Sequence, residues 1–253
     1  MSSSQSRPGS TGSPHSRPSK SGFSSVKAEF KQAGIAGRAF ADRLERLLNT
    51  TICDNVKLGV AVTSTPSAEV RIGFGVTKNS LVSGEFPVGA SRWRRAFMKL
   101  AYNMFLDASS GRLRMTTSAI AINAADEGGL RLCHWDYERD KERGYADAHL
   151  HIYGKSDAEE FWRPRLVNPG LEKLHFPVGG RRFRPTLEDV ISFLVTEGIC
   201  EGREGWLAAI EASRAEYEWE QLGAAIRRDG EGAATWLRTL GYEVTPPVVT
   251  PPA

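Results

Sequence analysis

FMKLAYNMFLDASSGRLRMTTSAIAINAADEGGLRLCHWDYERD, residues 97–140, is the stretch whose reading decides the fold. It divides into three strand-like runs, Phe97 to Asp107, Gly111 to Asn123 and Leu130 to Glu138, separated by Ala-Ser-Ser-Gly and Ala-Asp-Glu-Gly-Gly. Short polar breaks of that kind are hairpin connections, and sequential strands usually pair, so an antiparallel meander is expected. The first run also fits a helix, because Trp93, Phe97, Leu100 and Met104 have helical spacing; its end at Asp107, before a Ser and Gly turn, decides for a strand. AHLHIYG, Ala148 to Gly154, adds a fourth strand downstream. Upstream, Val56 to Thr63 and Glu69 to Val76 are alternating β-branched runs around a Thr-Pro-Ser turn and read as a hairpin. A Gly and Pro linker separates that hairpin from the meander.

Around the strands the hydrophobic period is helical. Phe30, Ile35, Phe40, Leu44, Leu47 and Leu48 mark an amphipathic helix over residues 26–49, which Gly34 and Gly37 are placed to break. Asp157 to Arg165 reads as a short helix that Pro164 terminates, and Leu174 to Pro177 as a brief strand or extended loop. In RPTLEDVISFLVTEG, Pro185 and Thr186 form a helix entrance, Glu188 and Asp189 fall in the first turn where the helix dipole favours acids, and Gly198 ends it. Two further amphipathic helices follow, Arg203 to Arg227 and Gly230 to Leu240. The expected fold is therefore α+β: an antiparallel β-meander sheet packed with helices on one face, with a helical C-terminal part from about residue 203.

This single domain is expected to span 26–243. Residues 1–25 are rich in Ser and Pro and carry Arg7, Arg17 and Lys20 with no acid, which accounts for the whole net charge of +3 and describes a disordered basic tail. Residues 244–253, VTPPVVTPPA, form an extended Pro-rich tail. A chain of 253 residues with 40% hydrophobic residues can bury a core without a disulfide or metal staple. No apolar run reaches membrane-spanning length and no secretion signal precedes the domain, so the cytoplasm is the expected compartment. Cys53, Cys133 and Cys200 are widely spaced and read as reduced core thiols.

The chain has no GxxxxGK[ST], no strand-linked GxGxxG, no GxSxG and no HExxH, so nucleotide-cofactor, hydrolase-elbow and metalloprotease chemistry lose their usual signatures. Two looser features remain. On a strand, His149, His151 and Tyr153 share one face while Leu150 and Ile152 share the other, taken as the core face. Such an imidazole pair suits metal binding or general acid and base work, and His134 and Asp136 share a face of the preceding strand, from which Asp136 can orient an imidazole. A dedicated metal site wants three or four ligands; among His134, Asp136 and His175 the third is not obvious, so no metal and no other cofactor is expected. In LHFPVGGRRFRPTLEDV, a Gly-Gly turn presents Arg181, Arg182 and Arg184 just before a helix N-terminus, a combination suited to phosphate or carboxylate, with Phe183 as a stacking surface. The nine acids between Glu188 and Glu220 are alternative partners for those arginines.

A strand ending in WDYERD, a strand carrying HLHIYG and the Pro-initiated helix RPTLEDVISFL resemble a family of uncharacterised actinobacterial proteins and, more distantly, the TumE-type toxins of bacterial toxin-antitoxin systems. The resemblance covers about Phe97 to Gly198 and sets Trp135, Asp136, His149 and His151 in comparable places. It implies a toxin-like or defence-related protein acting on nucleic acid. The co-occurrence of the histidine face and the arginine loop makes a metal-independent ribonuclease the expectation, with His149, His151 and Asp136 as catalytic groups and Arg181, Arg182, Arg184, Tyr153 and His175 holding the substrate. The alternative is a non-enzymatic protein that docks a partner protein through C-terminal helices exposing Trp206, Trp219 or Trp236.

Overall fold

The structure, a computed structural model, describes residues 20–63, 68–89, 96–107, 110–124, 129–140, 146–166, 168–179 and 184–245. Most of both expected tails lies outside these residues. The N-terminal helix α1, Lys20–Thr51, is a continuous 32-residue helix that starts before the boundary expected at residue 26. No proline follows Pro18 to interrupt it, and a glycine in a helix interior costs only about 1 kcal/mol, which a packed face offsets. The break expected at Gly34 and Gly37 is therefore absent. Gly37 instead permits contact: a Cβ there would sit 2.6 Å from Val70 Cγ1 and 3.1 Å from Val60 Cγ1.

Those valines belong to β1, Leu58–Thr63, and β2, Glu69–Phe74, which pair as the expected hairpin. The short strand β3, Glu85–Val88, lies beside the first residues of the long strand β4, Ala96–Asp107. Pro87 made this segment read as linker, but proline is tolerated on a strand with one free edge. From β2 the sheet continues through β4, β5 (Arg112–Asn123), β6 (Arg131–Glu138), β7 (Ala148–Ile152) and β8 (Phe176–Pro177), every neighbouring pair antiparallel. The meander of an α+β fold is thus present. The alternating burial of β4 confirms that residues 97–107 are strand, because a helix would not bury every second residue.

One face of the sheet forms the core. Ile72, Leu100, Tyr102, Ile120 and Ile122 are buried there beneath Leu44, Leu47 and Leu48 of α1, and Phe40 meets Tyr102 edge-on at 5.5 Å. Helix α3, Leu187–Thr196, adds Phe193 against Trp135 at 5.7 Å. Its entrance is the expected one: the Thr186 side chain accepts from the Asp189 backbone N–H, and the Asp189 carboxylate accepts from the Thr186 N–H. Helix α4, Trp206–Arg228, lies against α1, where Arg43 pairs with Glu216 and Glu220. Helix α5, Gly230–Thr239, ends the described part. Cys53, Cys133 and Cys200 are buried free thiols, each with its pKa pushed up by burial. Among the described residues no helix is long and apolar enough to cross a membrane.

The second face carries one row of very small side chains across most of the sheet. Gly59, Gly73, Ala101 and Ala119 stand opposite one another across four strands, and the same row continues into Asp136 and His149. After β7 the chain forms α2, Asp157–Trp162, and the 3-10 turns Arg163–Arg165 and Leu171–Lys173 before returning as β8. The short helix expected over Asp157 to Arg165 is α-helical only to Trp162, and Pro164 lies in the 3-10 turn that ends it.

Replacing each α1 glycine by alanine separates the two effects. Gly34→Ala places its Cβ at an ordinary 3.7 Å from Val62 Cγ2 and is expected to stabilise by about 0.5–1 kcal/mol. Gly37→Ala must push α1 off the β1–β2 hairpin and is expected to destabilise by roughly 1–3 kcal/mol. Urea unfolding measures both; a destabilising Gly34→Ala, or a neutral Gly37→Ala, contradicts this packing.

Candidate functional site

The candidate site is built by strand register. In the β6–β7 pair, His134 stands opposite His151 and Asp136 opposite His149, so all four side chains share the second face. In the β7–β8 pair, His149 faces Pro177 and Leu150 faces Phe176. One step further along the same antiparallel register, His175 falls opposite His151. Three imidazoles from three successive strand positions therefore form a row, with His149 and Asp136 directly beside it.

The ring geometry agrees. His134 stacks on His151 with centroids 4.4 Å apart and planes 18° from parallel. His149, His151 and His175 meet edge to face, at centroid separations of 5.0, 4.8 and 4.7 Å. One ligand-capable nitrogen from each of these three lies within 4.8 Å of the others, and His134, Asp136 and His151 form a second such group. His149 and His151 are buried, and His175 is the least covered of the three. The sequence reading placed the two strand histidines on a sheet face opposite the core. That placement holds, but the face is covered at this end.

Backbone carbonyls fix the rings. His149 Nδ1 lies 3.0 Å from the Ala146 carbonyl oxygen, and His151 Nδ1 lies 2.9 Å from that of Glu172, in the 3-10 turn Leu171–Lys173. A carbonyl only accepts, so each Nδ1 carries the hydrogen and in the neutral ring Nε2 carries the lone pair. The turn that supplies Glu172 is held by the buried carboxylate of Glu159, which accepts from the Gly170 N–H at 2.9 Å and from Arg163 at 3.0 Å. Burial and the neighbouring His134 push the His151 pKa down to about 4, although its carbonyl bond acts the other way. Burial alone would raise the Asp136 pKa. The bond with His134 Nε2, at 3.2 Å, and the surrounding imidazoles outweigh it and hold the carboxyl below its usual range.

A β-bulge adds a residue that strand alternation could not find. Asn123 pairs with Arg131 although Ile122 pairs with Cys133, so Leu132 is the extra residue on β6. The bulge turns Arg131 onto the histidine face, where its Nη1 donates to Tyr153 Oη at 3.2 Å and its guanidinium lies 5.3 Å from the Tyr153 ring. Tyr153 in turn sits 5.6 Å from His134. The structure thus gathers Asp136, His149, His151, Tyr153 and His175, together with His134 and Arg131.

It does not gather Arg184. The Arg184 guanidinium lies 4.8 Å over the ring of Tyr137, which pairs with Ala148 and Ser118 on the helix-covered face, so the sheet separates it from the imidazoles. The expected common cleft of histidines and arginines is absent for this residue, because the chain crosses to the helix layer between β8 and α3. Arg181, Arg182 and Phe183 lie outside the described residues. The acids of α3 and α4 pair elsewhere, Asp189 with Arg214 and Glu216 and Glu220 with Arg43. Among the tryptophans named for docking, Trp206 packs on the core while Trp219 and Trp236 are exposed. No protein-family model matches the chain, and no curated protein or solved structure gives a significant match.

The depressed His151 pKa has a thermodynamic consequence. Above an ordinary histidine pKa of about 6.5 the folded and unfolded rings are both neutral, and stability is insensitive to this group. As pH falls from there towards about 4, the unfolded ring takes a proton that the folded ring resists, so stability declines. Urea unfolding in the presence of chelator should show this decline, with a shallower one in His151→Gln. Equal slopes for the two proteins would contradict the burial of a neutral His151.

Proposed function

We propose that the protein is a metal-dependent enzyme of the hydrolytic kind, in which His149, His151 and His175 hold one divalent transition ion of the zinc type. The observation that carries this reading is the anchoring of His149 and His151 through Nδ1 to backbone carbonyls, beside a third imidazole. Ligating histidines characteristically give their other N–H to a carbonyl or carboxylate, which fixes the tautomer and the ring direction. Three protein ligands leave a fourth position for water or substrate, the pattern of catalytic rather than structural zinc. Nitrogens held at about 2.0–2.1 Å from a tetrahedral ion stand about 3.4 Å apart, so only a modest contraction of the present cluster is needed.

The neighbouring groups suit the chemistry such an ion supplies, a bound water acidified to a pKa of about 7. Asp136, ionised at neutral pH and within 4.8 Å of a ring nitrogen of His151, is the group proposed to take a proton from that water. His134 bonds to the same carboxylate and orients it. A division of acid and base work between the imidazoles alone fits less well. With a pKa near 4, His151 is a weak base at neutral pH, yet it is in the neutral state that ligation requires. The proposal therefore differs from a metal-independent ribonuclease in the role it gives the histidines.

Cobalt substitution tests it. The protein is expected to bind about one equivalent of Zn²⁺ or Co²⁺, the latter with the visible absorption of a tetrahedral site. His175→Ala, the least buried change, should lose that spectrum while keeping a folded circular-dichroism signature. No stoichiometric binding by the folded wild-type protein would remove the reading. Asp136→Asn should keep the metal and lower hydrolysis of activated ester or phosphodiester substrates by about 10²–10⁴-fold, as expected for a proton acceptor. Unchanged turnover in that variant would take the base role from Asp136.

A further inference from the structure

A cleft of about 950 Å³ lies on the other side of the sheet, between α1, α4, the start of α3 and strands β4 and β5. Its described lining holds eight arginines against four carboxylates. The carboxylates are committed: Glu216 and Glu220 to Arg43, Asp107 to Arg114, and Glu188 to Ser213, whose hydroxyl donates to it at 2.5 Å. Arg46, Arg112, Arg184, Arg227 and Arg228 make no ion pair among the described residues. With the carboxylates engaged, five arginines of the lining leave the cleft with an excess of positive charge, which an anionic ligand relieves.

Two buried phenols point the same way. Tyr217 lines the cleft, and its hydroxyl is buried without a hydrogen-bond partner among the described residues. Tyr137 is 1% exposed, its hydroxyl is equally unpartnered, and its ring lies beneath Arg184 and beside Arg139, two residues of the cleft wall. Buried hydroxyls are satisfied in the great majority of cases. The Tyr217 donor, left over in the wall of a basic cleft, suits an oxygen acceptor brought by a ligand, and the Tyr137 donor lies beneath that wall.

The cleft continues along α4 into a smaller groove of about 430 Å³, which shares Arg112 and Arg227 and adds Trp219. The indole of Trp219 is 75% exposed. Arginines that track a backbone beside an exposed aromatic platform are the means by which proteins hold single-stranded nucleic acid without reading its sequence. We propose that this groove binds a single-stranded nucleic acid, with phosphates on the five arginines and a base stacked on Trp219. The inference is independent of the metal reading, because groove and histidines lie on opposite faces of the sheet.

Fluorescence anisotropy of the full-length protein with a fluorescein-labelled ten-nucleotide oligo(U) and oligo(dT), run in EDTA, tests it. Binding in roughly the micromolar range at 50 mM salt is expected, with affinity falling steeply as salt rises. In an Arg46→Gln, Arg227→Gln, Arg228→Gln variant the slope of log K against log salt should shrink by about 2, near 0.7 for each phosphate no longer neutralised. Trp219→Ala should weaken binding by about 5- to 100-fold, the loss of one stacked base, and Lys78→Ala, at an exposed position between β2 and β3 that does not line the groove, should leave it unchanged. Uridine monophosphate should compete at least tenfold more weakly than the strand, and polyglutamate weakly or not at all. Absence of binding at 50 mM salt, an unchanged slope in the triple variant, or equal competition by the mononucleotide or polyglutamate would overturn the proposal. A Trp219→Ala protein that binds the strand normally but loses a protein partner would assign this surface to protein docking instead.

Discussion

Antiparallel register across β6, β7 and β8 is the constraint on which the rest of the molecule depends. It sets His134, His151 and His175 in one row and Asp136 beside His149 in the next, and a slip of one residue would send each imidazole through the sheet into the apolar core. Burial of so many polar rings is tolerable only because their hydrogens have partners. The carbonyls of Ala146 and Glu172 take the two Nδ1 hydrogens, and the Asp136 carboxylate takes that of His134 Nε2. The loop after β7 is consequently part of the site, since Glu159 and Gly170 hold the turn that presents the Glu172 carbonyl.

The same sheet supports a second polar region with a different chemistry. On its helix-covered face the core is apolar beneath α1, where Gly37 lets the helix meet Val60 and Val70 closely. Towards α3 and α4 the lining becomes arginine and tyrosine. One layer of backbone thus separates imidazoles and a carboxylate, suited to an ion, from guanidinium groups and phenols, suited to a polyanion. The two sites use different strands of one sheet, β4 and β5 for the cleft and β6 to β8 for the imidazoles, so each is open to substitution without direct contact with the other.

Much of this was legible in the sequence where local chemistry and tertiary packing agree. The Ser and Gly turn after Asp107 identified β4, and Pro185 and Thr186 with the acids that follow identified the α3 entrance, because turn and capping signals are local properties. The shared face of His149 and His151 followed from strand parity. His175 was named as a possible third ligand but could not be placed, since β8 is only two residues long and its register is set by β7. Arg131 was invisible because a bulge at Leu132 reverses the parity that alternation assumes. Arg184 was read at the right helix entrance and joined to the wrong face, because the side on which the chain crosses after β8 is a tertiary choice. Pro87 concealed β3 for the same reason: edge strands accept proline where central strands do not.

Crystals of the protein grown with zinc, and measured on both sides of the zinc absorption edge, test the central claim most directly. The account predicts one strong anomalous peak about 2.0–2.1 Å from Nε2 of His149 and His151 and from a ring nitrogen of His175. The Nδ1 atoms of His149 and His151 should remain on the carbonyls of Ala146 and Glu172. An anomalous map with no peak among these three rings, or with the ion held elsewhere while the rings keep their present positions, would contradict it.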